Sequence, residues 1–170
     1  MANKRRPSND TNISIDQILA APVPIITAQT SFTPSGSWVS NTTYTGVWWR
    51  EGRWMFIDYL LTLSGAPTAT SLTVNMPTGF TIDQSKLMSP TSNIVGSGEG
   101  ISGGGILFHG IPITSSTILF AYQSTTGGAL SNVNQAAPVT FGAGNTLQLR
   151  VRVPIVGWTE TQTIKQALGL

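Results

Sequence analysis

The sequence predicts an all-β chain: an antiparallel β-sandwich or jelly roll preceded by an extended N-terminal arm. Three observations carry this. Leu147-Gln148-Leu149-Arg150-Val151-Arg152-Val153 alternates apolar and polar residues at every step, as a strand with one buried face must. Tyr44 to Leu63 strings β-branched and aromatic residues around a single glycine turn, a hairpin pattern. No stretch has the length and period of a crossover helix, which disfavours a parallel βαβ sheet.

The 170 residues fit one domain with a short appendage at either end. A body of this size buries about two thirds of its unfolded surface, enough for a core without metals or disulfides. The chain has no cysteine, which removes disulfide scaffolds, Cys-ligated zinc and thiol nucleophiles. Only 9% of residues are charged, against about 25% in an ordinary soluble domain. Weak mutual repulsion suits close packing of many copies.

Residues 1–22 read as a flexible basic arm. Lys4, Arg5 and Arg6 are followed by polar residues, where a secretion signal needs an apolar run. Ser14 stands three residues before Gln17, a capping-box spacing, and Ile15, Ile18 and Leu19 share one side of the turn that follows. This short helix should end before Pro22 and needs something to dock on. The basic cluster reads first as a solubilising tail, next as a contact for an acidic protein surface, and last as a phosphate contact. From Ala21 to Trp158, five basic residues face four acidic ones, so the body offers no broad patch for nucleic acid. No apolar run approaches a membrane span.

The body, residues 23–158, reads as strands and turns. Val23 to Ile26 is an edge strand, since Pro24 lacks a ladder donor. Tyr44–Arg50 and Arg53–Leu63 form the hairpin around Glu51-Gly52. The second arm is apolar on both faces except at Asp58, so it expects the core on one side and a partner on the other. Asp58 is expected to be hydrogen-bonded, for instance to an arginine, or to face solvent. Leu72 to Met76 alternates, and Pro77-Thr78-Gly79 breaks it. Pro90 to Gly105 is glycine-rich and reads as a loop. Ile106–His109 and Ile118–Gln123 are strands, and Pro138–Phe141 is a short one. The total expected is seven to ten. Residues 159–170 form a C-terminal extension with a helix from Gln162 to Leu168, whose apolar side is Ile164, Ala167 and Leu168.

Little in the sequence suggests chemistry. His109 is the only histidine, and the carboxylates are scattered singly, so neither a metal site nor a triad is indicated. Asp58 could be paired with Asp83 or Glu99 for glycoside hydrolysis, but no spacing singles them out. Gly96-Ser97-Gly98-Glu99-Gly100 lacks the lysine of a phosphate loop and reads as a flexible surface loop. The expectation is a protein that is not an enzyme and has no cofactor. The tryptophans are more informative. Trp48 and Trp49 are adjacent and must point to opposite faces of their strand. Trp48, Trp49, Trp54, Phe56 and Trp158 are candidates for core or subunit-interface packing, and a glycan platform is the alternative for Trp49.

Taken together, the hairpin, Leu72-Thr73-Val74-Asn75-Met76-Pro77-Thr78-Gly79, and Gly144-Asn145-Thr146-Leu147 running through Val153-Pro154-Ile155-Val156-Gly157-Trp158 resemble a family of tailed-bacteriophage structural domains. These domains occur in fibre, collar and capsid-surface proteins. The resemblance covers about Ser37 to Trp158. It implies a jelly roll similar to tumour-necrosis-factor-like modules, usually trimeric, with Leu72, Val74 and Met76 in the core and Trp158 packed on its own barrel or at a three-fold interface. Fibre members carry the module on a shaft, and none is seen here. The expectation is therefore a late virion protein, made in the host cytoplasm and placed on the capsid surface. It would be a decoration or cement protein, a homotrimer bound to the major capsid protein through arms bearing Lys4, Arg5, Arg6, Ile15, Ile18 and Leu19. The alternative is a knob of a fibre or tail tip that binds a receptor or host glycan, joined by its arm to another virion protein.

Overall fold

The computed structural model describes residues 14–89, 93–101, 105–124 and 128–169. Lys4, Arg5 and Arg6 lie outside these residues. The chain runs α1 (Ile15–Leu19), β1 (Pro22–Pro24), β2 (Thr30–Phe32), β3 (Thr42–Glu51), β4 (Trp54–Leu63), β5 (Thr73–Asn75), a 3-10 turn (Gln84–Lys86), β6 (Gly96–Ile101), β7 (Gly105–Pro112), β8 (Thr117–Gln123), β9 (Leu130–Asn132), β10 (Thr146–Pro154), β11 (Thr161–Thr163) and α2 (Ile164–Ala167). The protein is all-β, with antiparallel sheets packed as a sandwich.

Nine strands form one sheet in the order β2-β3-β4-β10-β6-β7-β8-β5, with β9 beside β5 on β8. β5 lies next to β8 rather than β6, so strands β5 to β8 follow a Greek-key order read in reverse. The sheet curls until its ends meet. Gly36 bridges Val74, the Ser37 amide donates to the Thr73 carbonyl at 3.0 Å, and the Asn75 amide donates to Ser35 at 2.8 Å. A strand edge that would otherwise stay open is thereby occupied.

The inward residues explain the closure. Met55, Ile57, Tyr59, Leu61 and Leu63 alternate along β4, and Leu147, Leu149, Val151 and Val153 along β10; all are buried. They meet Trp38, Leu72, Val74, Phe108, Phe120 and Phe141 in one core. Trp38 and Phe141 lie 5.5 Å apart between ring centroids, and the Trp38 indole donates to the Thr70 carbonyl at 2.9 Å, so the polar end of the ring is satisfied inside. Leu72, Val74 and Met76 are core residues, as the family resemblance implies.

Several sequence-based expectations need correction. The stretch read as a loop from Pro90 to Gly105 contains β6, an interior strand between β10 and β7. Gly96, Gly98 and Gly100 face inward, opposite Val151, Leu149 and Leu147. A Cβ on Gly96 or Gly98 would overlap the carbonyl oxygens of Arg150 and Gln148, and one on Gly100 would meet the Phe108 ring. Glycine is here a packing requirement of the strand. Pro138–Phe141 is not a strand, and the short strand of that region is β9. The hairpin turns at Gly52-Arg53, one residue later than expected, with Gly52 at φ 61°. Eleven strands occur among the described residues, several of three residues. The C-terminal helix starts only at Ile164, because residues 161–163 are recruited as a strand.

That strand joins the two chain ends. β11 pairs antiparallel with β1, and α1 touches α2, so the arm and the C-terminal extension form one clasp. Its root is the hairpin turn. The Gly52 amide donates to Ile25 at 2.7 Å, Arg50 donates to Thr159 at 3.1 Å, and Arg53 Nε lies 2.8 Å from Glu160 in an ion contact without hydrogen-bond alignment. The clasp thus marks one pole of the body. The far pole holds segments 39–43, 64–73 and 128–146, which contain no charged residue.

Candidate functional site

Two surfaces present side chains that the fold itself does not consume. The first is the outer face of β3, β4, β10, β6 and β7, where the same alternation that fills the core turns the remaining residues outward. Trp49 and Phe56 are opposed across β3 and β4 and stack at 5.2 Å with 10° between planes. Arg152 lies 4.1 Å over Trp54, and Arg150 lies 5.7 Å over Trp49, so cations on β10 cover aromatic faces on the neighbouring strands. Arg150 also donates from Nε and Nη2 to the two oxygens of Asp58, both at 2.6 Å. These bonds and the carboxylate charge hold its guanidinium above its ordinary value. Asp58 is therefore tied to an arginine, as expected for a residue with a structural role.

Toward the far pole this face deepens into a groove of about 810 Å³. Val47, Leu60 and Leu107 line it, with Asp58, Arg150 and Glu99 among its polar residues. Leu60 is 42% and Leu107 73% exposed. The groove brings Asp58 and Glu99 onto one surface, two strands apart in the sheet. Each is already engaged, Asp58 by Arg150 and Glu99 by the Gln148 amide at 2.8 Å. Asp83 does not join them; it caps the 3-10 turn. Among the described residues no group of three metal-ligating side chains occurs, and no helix is long and apolar enough to cross a membrane.

The tryptophans divide as their adjacency requires. Trp48 packs on Phe80 at 4.8 Å and on Trp158 at 6.3 Å, with Arg50 4.5 Å over the Trp158 ring. Trp158 thus packs on its own body, and burial pushes the Arg50 guanidinium below its usual value. Trp49, Trp54 and Phe56 belong to the outer face and are half-buried; none of the five candidate aromatics is fully enclosed, while Trp38 is.

The second surface is the clasp. Its two helices are built alike. Ser14-Ile15-Asp16-Gln17-Ile18-Leu19 and Thr163-Ile164-Lys165-Gln166-Ala167-Leu168 each carry a complete capping box. Ser14 accepts from the Gln17 amide at 3.1 Å, and Thr163 accepts from the Gln166 amide at 3.1 Å. Leu19 and Ile164 are the half-buried side chains of the pair. Ile15 is 74%, Ile18 48% and Leu168 63% exposed. Ile26 beside the hairpin turn, bridged to Glu51, is 68% exposed as well. The sequence singled out Ile15, Ile18 and Leu19 and also the apolar side of the C-terminal helix; the second capping-box spacing, Thr163 to Gln166, is the further signal that marks where that helix starts.

Comparison with known protein families, with curated proteins and with solved structures finds no match.

Proposed function

We propose that this chain is a structural protein of a virus particle, a decoration or cement protein that attaches to the capsid surface through its N-terminal arm and acts without catalysis. The observation that supports this best is the clasp. A basic cluster, Lys4 to Arg6, stands seven residues before a helix whose isoleucines are exposed, and that helix is fixed to one pole of a closed sandwich. A body of this kind sits on a surface by one end and shows its uncharged far pole to solvent. If the bodies associate as trimers, three such contacts give avidity greater than any single one. The apolar outer face of β4, which carries Leu60, is the side available for contact between copies.

Counting copies in purified particles is the direct test. Hundreds per particle, in fixed ratio to the major capsid protein, are expected, with attachment lost on deletion of residues 1–20. Attachment unchanged by that deletion would overturn the reading. The groove beside Asp58 and Leu107 favours a second reading, a knob that binds a host glycan. A count of three or a small multiple, together with glycan binding abolished by Leu107→Lys, would put it first.

A further inference from the structure

We propose that the two chain ends act as one composite docking knob, in which Ile15 and Ile18 of α1 and Leu168 after α2 enter an apolar groove with an acidic rim on a partner protein. This rests on the attachment reading above and adds the C-terminal half of the contact and the chemistry of the partner.

Four observations lead there. Helices of five and four residues do not persist alone, yet each carries its own cap and they touch each other through the β1–β11 ribbon. The fold therefore invests both termini in presenting three large apolar side chains to solvent. Next, β1 reads Pro-Val-Pro, and Pro22 and Pro24 have no amide to offer a further strand. Strand addition on the β1 edge is thus disfavoured, and the exposed apolar side chains are the contact that this side of the ribbon offers. Third, the segment before α1 carries Lys4, Arg5 and Arg6 against Asp10 alone. Seven residues separate Arg6 from Ser14, so the Arg6 backbone stays within about 28 Å of the knob whatever path the chain takes. An acidic rim within that distance complements this charge. Finally, on the knob itself Asp16 of α1 and Lys165 of α2 offset one another and Glu160 is paired with Arg53, so the charge to be complemented is that of Lys4, Arg5 and Arg6.

The test uses the full-length protein and particles of its own virus from which it has been stripped, read by co-sedimentation. Ile18→Asp and Leu168→Asp are each expected to weaken binding about tenfold or more. Arg5→Glu should weaken it at low salt, with the effect fading near about 0.5 M salt. Leu168→Ser repeats the C-terminal test with a milder change, and unchanged thermal unfolding of the body shows that each variant is folded. Wild-type binding by Leu168→Asp and Leu168→Ser, with Ile18→Asp defective, would overturn the composite knob and leave the arm reading standing. Wild-type binding by all three would overturn the knob entirely. If the unaltered protein does not bind particles, the attachment reading fails. Self-association lost in Leu168→Asp, or binding to anionic vesicles or DNA, would then assign the surface to another occupant and overturn the acidic protein partner.

Discussion

The closed sheet and the clasp are stabilised in different ways. In the sheet, long-range strand pairs bring side chains from distant parts of the sequence into one core, so its order is collective. In the clasp, three residue pairs and two capping boxes hold the fifteen residues of α1, β1, β11 and α2, and Ile15 and Ile18 among them face water. The difference separates two tasks. The body rests on collective packing, whereas the clasp rests on local caps and a short ribbon, so the clasp should open at lower cost than the body.

The largest effect that would sharpen this contrast lies in the core. Trp38→Ala should destabilise the body by about 3–5 kcal/mol, measured by urea unfolding, and should strip the clasp of its base at the same time. Gly98→Ala comes next. Its new Cβ meets the Gln148 carbonyl, and overpacking of a fixed backbone costs about 1–3 kcal/mol. A neutral result would show that β6 is looser than an interior strand should be.

Alkaline titration probes the same body through its tyrosines. Burial raises Tyr59 well above its ordinary value of 10, and it raises Tyr44 also. A group whose folded value is raised contributes stability that is complete below the unfolded value and is lost as pH climbs above it. Stability should therefore hold up to about pH 10 and fall beyond. Tyr59→Phe should flatten that fall, at a neutral-pH cost of about 1 kcal/mol for the bond its hydroxyl donates to Asn75 at 3.2 Å.

The smallest effects belong to the clasp. Ser14→Ala and Thr163→Ala each remove a cap worth about 1 kcal/mol locally. Amide exchange in α1 and α2 should accelerate while the unfolding midpoint of the body stays put. A shifted midpoint would break the comparison, because it would make the clasp part of the cooperative core.

The body was legible in sequence where a strand has one wet face. β10 alternates perfectly, and β3 and β4 are rich in aromatic and β-branched residues, so their positions and the pairing of β3 with β4 could be anticipated, with an arginine as one option for Asp58; the pairing of β10 with β4 could not. β6 was missed because its inward positions are glycines. Hydrophobic alternation is then invisible, although the spacing of Gly96, Gly98 and Gly100 already has the period of a strand. The loss of Pro138–Phe141 as a strand has the opposite cause, since Val139 and Phe141 are apolar because they pack on the core from a loop. For the candidate site, local patterns revealed the exposed isoleucines of α1, the capping box and the opposed Trp48 and Trp49. The union of the two ends through β1 and β11 was not readable, because three-residue strands with prolines carry no periodic signal and their pairing spans most of the chain.

Because both ends leave the body beside the same hairpin turn, the molecule has a built-in front and back for anyone who extends it. Ser14 and Gly169, the outermost described residues of the two ends, lie at the pole that holds the clasp. A peptide inserted near Ala143, in the exposed turn between Gly142 and Asn145, emerges from the opposite one. The clasp and that turn therefore address opposite ends of the same body.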